Sequence, residues 1–177
     1  MLVRLLPTPD HLWVRPIRAS DKDGLLDLFE RLSPMSRMRR FLAPKPRLSS
    51  RELAYLTEVD HRRHEALVVI APGGAFVGVG RYACAPGEDE VADIALAVAD
   101  AWQGRGIGRA LGRMVLAHAA ANGIARVEGS TLSDNLPARR LLARLGFAVR
   151  GVEGGVLDLE LELHLAPALG AGEARAA

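Results

Sequence analysis

The stretch that decides the fold runs from Val91 to Gly112 and reads VADIALAVADAWQGRGIGRALG. Its first nine residues, Val91–Ala99, are small or branched apolar residues with one acid, Asp93, among them. A short apolar run without polar alternation is typical of a strand buried on both faces. Glycines follow in Gln103–Gly108, and an amphipathic helical pattern begins at Ile107. The stretch therefore predicts a buried strand, a glycine-rich turn and a helix.

A glycine-rich turn in this position is suited to holding phosphate groups. Glycines let the backbone approach an anion closely, and the first N–H groups of a helix have no partner within it. A Walker P-loop is excluded because Gly-Lys-Ser/Thr is absent, and the dinucleotide spacing G-x-G-x-x-G fails at Arg109 and at Leu111. What remains is Gln-x-x-Gly-x-Gly after a buried strand, and its plain alternative is an ordinary turn before a helix.

The bulk composition is that of one soluble globular domain. The chain has 177 residues, of which 49% are hydrophobic and 25% charged, and a net charge of +2 does not indicate nucleic acid. Its single cysteine, Cys84, excludes an intramolecular disulfide. No apolar run reaches the length of a membrane span and the N-terminus has no signal-peptide pattern, so we predict a cytoplasmic protein without a membrane partner.

The order of predicted elements indicates an α/β (α+β) fold. Residues 1–10 are predicted to be a lead-in, residues 11–165 the folded domain, and residues 166–177, rich in Ala, Gly and Pro, a disordered tail. Within the domain we expect a strand, three helices, three strands, a helix, a strand, a helix and two strands. Serines are expected to cap the three early helices: Ser20, Ser33 and Ser49.

A second motif follows the turn. Asn135, Ala138, Gly146 and Phe147 fit N-x-x-A-(x)7-G-F. In this order, the two motifs resemble those of the GNAT superfamily of N-acetyltransferases. The first half of the chain is most similar to the acetyltransferase domain of bacterial Pat-type protein-lysine acetyltransferases, in segments such as Val14–Arg18, Arg31–Arg37, Gly78–Tyr82 and Val98–Gly106, and the resemblance covers roughly residues 12–165.

The resemblance implies a mixed, mostly antiparallel central sheet, splayed at the fourth strand and flanked by helices, with acetyl-CoA in the opening. Backbone groups around Leu96, Ala97 and Val98 would hold the pantetheine arm. Asn135 would bond that arm or orient the helix after it, and Arg139 of that helix would be a further cofactor-binding residue. The pyrophosphate would lie on the turn and the helix start: Gln103, Gly104, Arg105, Gly106, Ile107, Gly108 and Arg109.

Arginines are concentrated in two places. Arg105, Arg109 and Arg113 recur every four residues, so we expect them on one helical face, where they meet CoA phosphates or water. The second place is the most basic stretch of the chain, Arg37–Arg51. It is a solvated helix face, a neighbour of the CoA phosphates, or a docking surface for an acidic partner.

Acetyl transfer to an amine needs a base, because the pKa of a lysine amine is about 10.4. Asp93 is the best candidate, since alternation along the strand places it beside alanines that would raise its pKa. Pat-type domains carry glutamate here, and the shorter aspartate calls for an intervening water. The alternative is that Asp93 pairs with Arg81 on the neighbouring strand; Glu90 and Glu128 are weaker candidates for the base.

The general acid is unassigned. Many GNAT enzymes carry tyrosine four residues after the motif alanine, where this chain has Leu142. The two tyrosines, Tyr55 and Tyr82, lie elsewhere in the sequence. Water serves instead, or no acid is needed.

The sequence thus predicts an acetyl-CoA-dependent N-acetyltransferase that works by direct attack in a ternary complex. The resemblance implies a protein lysine as acceptor. A small amine or an antibiotic is the first alternative, and a non-catalytic acyl-CoA-binding module is the second. The histidines show no metal-ligand spacing, so no metal is expected. We expect no nucleic-acid partner, and a monomer or a homodimer.

Overall fold

The computed structural model describes residues 3–4 and 11–163, in which the elements follow the predicted order. The strands are Val3–Arg4 (β1), Trp13–Pro16 (β2), His64–Ile70 (β3), Phe76–Cys84 (β4), Val91–Val98 (β5), Arg126–Leu132 (β6), Ala148–Glu153 (β7) and Val156–Glu162 (β8). The helices are Lys22–Glu30 (α1), Pro34–Phe41 (α2), Ser50–Thr57 (α3), Ile107–Ala121 (α4) and Leu136–Leu145 (α5). The predicted tail and most of the predicted lead-in lie outside the described residues.

The described strands form one sheet in the order β1-β2-β3-β4-β5-β6-β8-β7, and every pair is antiparallel except β5 and β6. The predicted mixed, mostly antiparallel sheet is therefore confirmed. Strand β5 pairs with β6 only through Val91–Asp93, opposite Arg126–Glu128. From Ile94 to Val98 it continues beside β4 alone. This opening is the predicted splay, which falls at the fifth strand because β1 precedes the predicted first strand.

Helices cover both faces of the sheet, and β5 is in contact with both layers. Ala92 and Ile94 pack into the core under α4, together with residues such as Leu111 and Val115. Ala97 and Ala99 contact the second core, which α1 and α3 complete. This burial on two sides is what a continuous apolar strand predicts.

Two of the three predicted serine caps are present. The hydroxyl of Ser33 accepts a hydrogen bond from the Ser36 amide, and Ser49 forms a capping box with Glu52. The prediction for Ser20 was wrong, because that residue lies in a 3-10 turn (Ala19–Asp21) before α1.

The carboxylate of Asp21 explains this turn. It accepts hydrogen bonds from the Arg15 guanidinium at 2.6 and 2.8 Å and from the Arg18 amide at 2.8 Å. These bonds tie the chain before α1 to the end of β2. The regular helix therefore begins two residues after Ser20.

Candidate active site

The glycine turn has the geometry of an anion site. Gly104 and Gly106 have φ values of 75° and 81°, a region that other residues rarely occupy, and a Cβ on either would have no heavy atom within 4 Å. Helix α4 begins at Ile107 without a side-chain cap on Gly106. The first N–H groups of α4 therefore face the open side of the turn without a capping side chain.

Side-chain hydrogen bonds hold the turn against β5 and α2. The amide group of Gln103 donates to the Val98 carbonyl oxygen and to Asp100 Oδ1, both at 3.0 Å. Asp100 also accepts from the Ser33 amide at 2.6 Å and from the Ser36 hydroxyl. The sequence did not predict this role for Asp100. Its position directly after the buried strand is the one sequence signal that points to such a role.

The expected arginine face on α4 was wrong for one of its three members. Arg105 precedes the helix, and its guanidinium carbon lies 4.8 Å from the centre of the Trp102 ring. The left-handed conformation of Gly106 interrupts the helical period between Arg105 and Arg109. Arg109 and Arg113 do lie on α4, and both are exposed.

The unpaired edge of β5 contains the residues expected to hold the pantetheine arm. Leu96 and Val98 pack toward α4, and Ala97 packs toward the early helices. The edge of Ile94–Val98 that faces β6 has no strand partner among the described residues. An extended polar chain fits such an edge because free backbone N–H and C=O groups offer it hydrogen bonds.

Asp93 lies where β5 leaves β6. It is the last residue of β5 to pair with β6, and its partner there is Glu128. Its side chain keeps contact with solvent, while partial burial raises its pKa and the charges of Glu128 and Glu88 raise it further. Asp93 does not pair with Arg81, which donates instead to His64 Nε2 at 3.0 Å and to the Leu56 carbonyl oxygen at 2.9 Å.

The second motif forms the start of α5. Asn135 is buried, its side-chain oxygen accepts from the Ala138 amide, and its amide group donates to the Thr131 hydroxyl at 3.2 Å. Arg139 is exposed and donates to the Ser133 carbonyl oxygen at 2.9 Å. Both side chains thus order the loop between β6 and α5, which borders the opening in the sheet.

No described tyrosine occupies the position of the usual general acid. Leu142 is buried in the core under α4. The Tyr82 hydroxyl donates to the Arg62 carbonyl oxygen, and burial raises the pKa of Tyr82 to about 12. Tyr55 is exposed and stacks against His64.

Two further features are absent from the part of the chain that the structure describes. No three His, Cys, Asp or Glu side chains come together in residues 11–163 in a way that would hold a metal ion. None of the helices described is both long and apolar enough to cross a bilayer.

An open strand edge with a glycine-rich helix start beside it suits an extended ligand that carries phosphate groups, as acyl-CoA does. The model of the family described as Acetyltransferase (GNAT) family matches residues 26–147. The chain belongs to the GNAT acetyltransferase family. This confirms the predicted enzyme class and the predicted acetyl donor, acetyl-CoA.

Two curated acetyltransferases and one crystal structure are similar to this chain over most of its length. The chain is 32% identical over 142 residues to the acetyltransferase PA5475 of Pseudomonas aeruginosa, covering 77% of this chain and 75% of that protein. It is 27% identical over 157 residues to the acetyltransferase Pat of Mycolicibacterium smegmatis, covering 88% of this chain but only 47% of that protein. The crystal structure of the GNAT domain of S. lividans PAT matches with a TM-score of 0.84 at 31% identity, covering 92% of this chain and 97% of that one.

Proposed function

We propose that this protein transfers the acetyl group of acetyl-CoA to an amine, with a protein lysine as the acceptor, by direct attack in a ternary complex. The observation that carries the proposal is the position of Asp93 at the point where β5 parts from β6. A carboxylate with a raised pKa thus stands directly before the unpaired strand edge. The likeness to the Pat proteins supports the choice of lysine.

The residues proposed to hold acetyl-CoA lie along one path. The β5 edge at Leu96, Ala97 and Val98 would bind the pantetheine arm. The turn and the first residues of α4 would bind the pyrophosphate: Gln103, Gly104, Arg105, Gly106, Ile107, Gly108 and Arg109. Asn135 and Arg139 are proposed to border the arm from α5. The open space beside Gly104 and Gly106 supports this path, because no other side chain would block a pyrophosphate group there.

Acetyl-CoA supplies the thioester carbonyl carbon with which the amine nitrogen forms a C–N bond while the C–S bond breaks. Asp93 is proposed to take the proton that the amine loses, through a water that makes up for its short side chain. Partial burial, and then the charges of Glu128 and Glu88, favour this role because they raise the pKa of Asp93 toward the working pH. A main-chain N–H of the β5 edge is proposed to polarise the carbonyl oxygen.

The buried Leu142 leaves protonation of the departing sulfur to water. A thiol has a pKa of about 8.5, far below that of an amine, so its anion leaves without much assistance. We therefore propose that the missing tyrosine does not abolish turnover.

Calorimetric titration with acetyl-CoA, run beside a thiol-release assay, tests the proposal. The acceptors are lysine peptides, polyamines and aminoglycosides. We expect binding, with thiol release fastest for lysine peptides. Release only with polyamines or aminoglycosides would favour the small-amine alternative, and binding without any release would favour a non-catalytic acyl-CoA-binding module.

The variant Asp93→Asn tests the base. We expect kcat to fall by about 100-fold or more, because general bases contribute on this order, while acetyl-CoA affinity stays nearly unchanged. Asp23→Asn is the matched control, since Asp23 is an exposed aspartate in the first turn of α1. Full activity of Asp93→Asn across the pH range would remove Asp93 from the mechanism.

A further inference from the structure

A small cavity lies between the early helices and the sheet. Its volume is about 30 Å³, and side chains of α1, α2, α3, β4 and β5 line it. That volume is comparable to the share of one water molecule in the liquid, so the cavity has room for one small group and not for a whole ligand. The residues that line it are apolar except for two arginines, Arg40 and Arg81.

Arg81 is buried with part of its hydrogen-bonding capacity unused. Only 5% of its surface is exposed, and its Nε is buried without a hydrogen-bond partner. Its other nitrogens donate to His64 and to the Leu56 carbonyl oxygen, both uncharged groups. His64 stays neutral near pH 7 because burial, and then the charge of Arg81, lower its pKa to about 4. Arg81 therefore has no anionic partner within the described residues.

Arg40 lines the cavity from α2 and is partly exposed. Its guanidinium carbon lies 5.0 Å from the centre of the Phe41 ring, and no described carboxylate forms an ion pair with it. Burial lowers the pKa of Arg40 to about 10. Burial, and then the charge of Arg40, lower the pKa of Arg81 to about 9. A buried cation such as Arg81, repelled by the charge of a second cation, is costly to keep unless an anion joins the two.

The cavity is placed beside the proposed reaction centre. Ala97 lines it, and Ala97 belongs to the β5 edge that is proposed to hold acetyl-CoA. Asp93 lies on the same face of β5, four residues away, which corresponds to about 13 Å along a strand. Arg81 pairs with Ala95, midway between the two. Because Ala95 is two residues from Asp93, an acceptor that spans about 7 Å along the strand extends from the level of Arg81 to that of Asp93.

We propose that the acceptor carries, besides its amine, a carboxylate that binds to Arg81 and Arg40. A carboxylate matches the planar fork of a guanidinium, and its size suits the cavity. This assignment rests on the proposed function in one respect, namely that the acceptor approaches from this side of the sheet. The carboxylate has two possible sources: a free amino acid, or an acidic residue next to a lysine in a peptide.

Nuclear magnetic resonance tests the anion site without any turnover. The full chain is labelled with ¹⁵N, and Arg81→Lys assigns the Nε–Hε signal of Arg81. We expect propionate to shift this signal with saturation at millimolar concentration, and the isosteric propionamide to leave it in place. The proposal is overturned when propionate has no effect or when both compounds act alike.

Matched acceptors then test the role of the site in the reaction. L-lysine is compared with its decarboxylated analogue cadaverine, and a Lys-Asp peptide amide with a Lys-Asn peptide amide. We expect kcat/KM to be about ten- to hundredfold higher for the carboxylate-bearing member, as for charge-assisted hydrogen bonds. The pair with the larger ratio identifies the source. A ratio near one in both pairs overturns the proposal.

Three variants test whether the two cavity arginines cause the preference for acceptors that carry a carboxylate. Arg81→Met and Arg40→Met should each bring the ratio close to one, whereas Arg47→Met, the same change at an exposed arginine of the basic stretch, should keep it. A ratio unchanged in both cavity variants contradicts the proposal. Faster transfer from succinyl-CoA than from acetyl-CoA to cadaverine would assign the carboxylate to the donor instead. Absence of thiol release with every acceptor would count against the proposed function, and the Arg81 signal would then decide the anion site alone.

Discussion

The chemistry proposed for Asp93 depends on which side chains adjoin it. The sequence predicts a raised pKa from the alanines around it, and the structure adds two carboxylates, Glu128 and Glu88. Glu128 is the direct neighbour across the one parallel pairing among the described strands. That pairing joins residues 35 positions apart in the chain, so it depends on the tertiary fold.

The variant Glu128→Gln tests this neighbour effect. A nearby negative charge favours the protonated form of Asp93, so its removal should lower the pKa of Asp93. Because the base acts when deprotonated, activity rises with pH through this pKa. The acid limb of the kcat/KM profile should therefore move to lower pH.

The control for this prediction is Glu153→Gln, which makes the same charge change at an exposed position on β7. Its acid limb should coincide with that of the unmodified protein. An acid limb that stays in place in Glu128→Gln, or moves to higher pH, would contradict the assignment of Asp93 as the base.

The partners of Arg81 depend on strand register and on helix packing. Pairing with Asp93 was a reasonable alternative, since the two residues lie on adjacent strands. The register places Arg81 opposite Ala95 and places Ala83 opposite Asp93. The carbonyl of Leu56 at the end of α3 and the ring of His64 take the hydrogen bonds of Arg81. Neither partner is adjacent to Arg81 in the sequence.

At the scale of elements, local patterns predicted the turn and most helix starts. Glycines at positions of positive φ and the capping box at Ser49 act within a few residues, so the sequence shows them directly. The predictions for Ser20 and Arg105 were wrong because each helix starts later than expected: Asp21 bonds to Arg15 before α1, and Gly106 is left-handed before α4.

Gly106→Val tests the turn as a phosphate-binding element. A β-branched residue at φ 81° should lower the free energy of unfolding by about 1–3 kcal/mol. We also expect acetyl-CoA affinity to fall at least about tenfold, because the side chain blocks backbone approach. Chemical unfolding and calorimetry measure the two effects.

Gly123→Val provides the matched control for strain. Gly123 has a φ of 84° and open space around it, and it follows the other end of α4. This variant should lose similar stability but keep its affinity for acetyl-CoA. Unchanged affinity in Gly106→Val would mean that the cofactor binds elsewhere.

At the scale of the whole molecule, the sheet consists of two parts joined by three residue pairs between β5 and β6. Helix α4 leads from the end of β5 to the start of β6, and it packs on β3, β4 and β5, on one side of the joint. The opening is thus a property of the topology, in which a parallel pair ends early while both strands continue. The predicted cytoplasmic location, the absence of nucleic-acid partners and the oligomeric state stay predictions.

Hydrogen exchange tests where the cofactor lies in this topology. Acetyl-CoA should slow the exchange of the amides in Ile94–Val98 that do not bond to β4, and of those in the turn after Gln103, by about tenfold or more. Strand β3 is paired on both sides, so its amides serve as the internal control and should not change. Protection confined to regions outside β5 and the turn would contradict the proposed path.

The sequence by itself determined the fold family, the enzyme class, the acetyl donor and the position of the glycine turn. The turn depends on residues that act on the backbone next to them, so the sequence shows it directly. The family, the enzyme class and the acetyl donor follow from the resemblance that the two motifs carry. The tertiary structure alone decided that Asp93 lies beside Glu128 and that Arg40 and Arg81 share a cavity without a carboxylate. Register and helix packing bring those groups together, and both depend on contacts between segments that lie far apart in the chain.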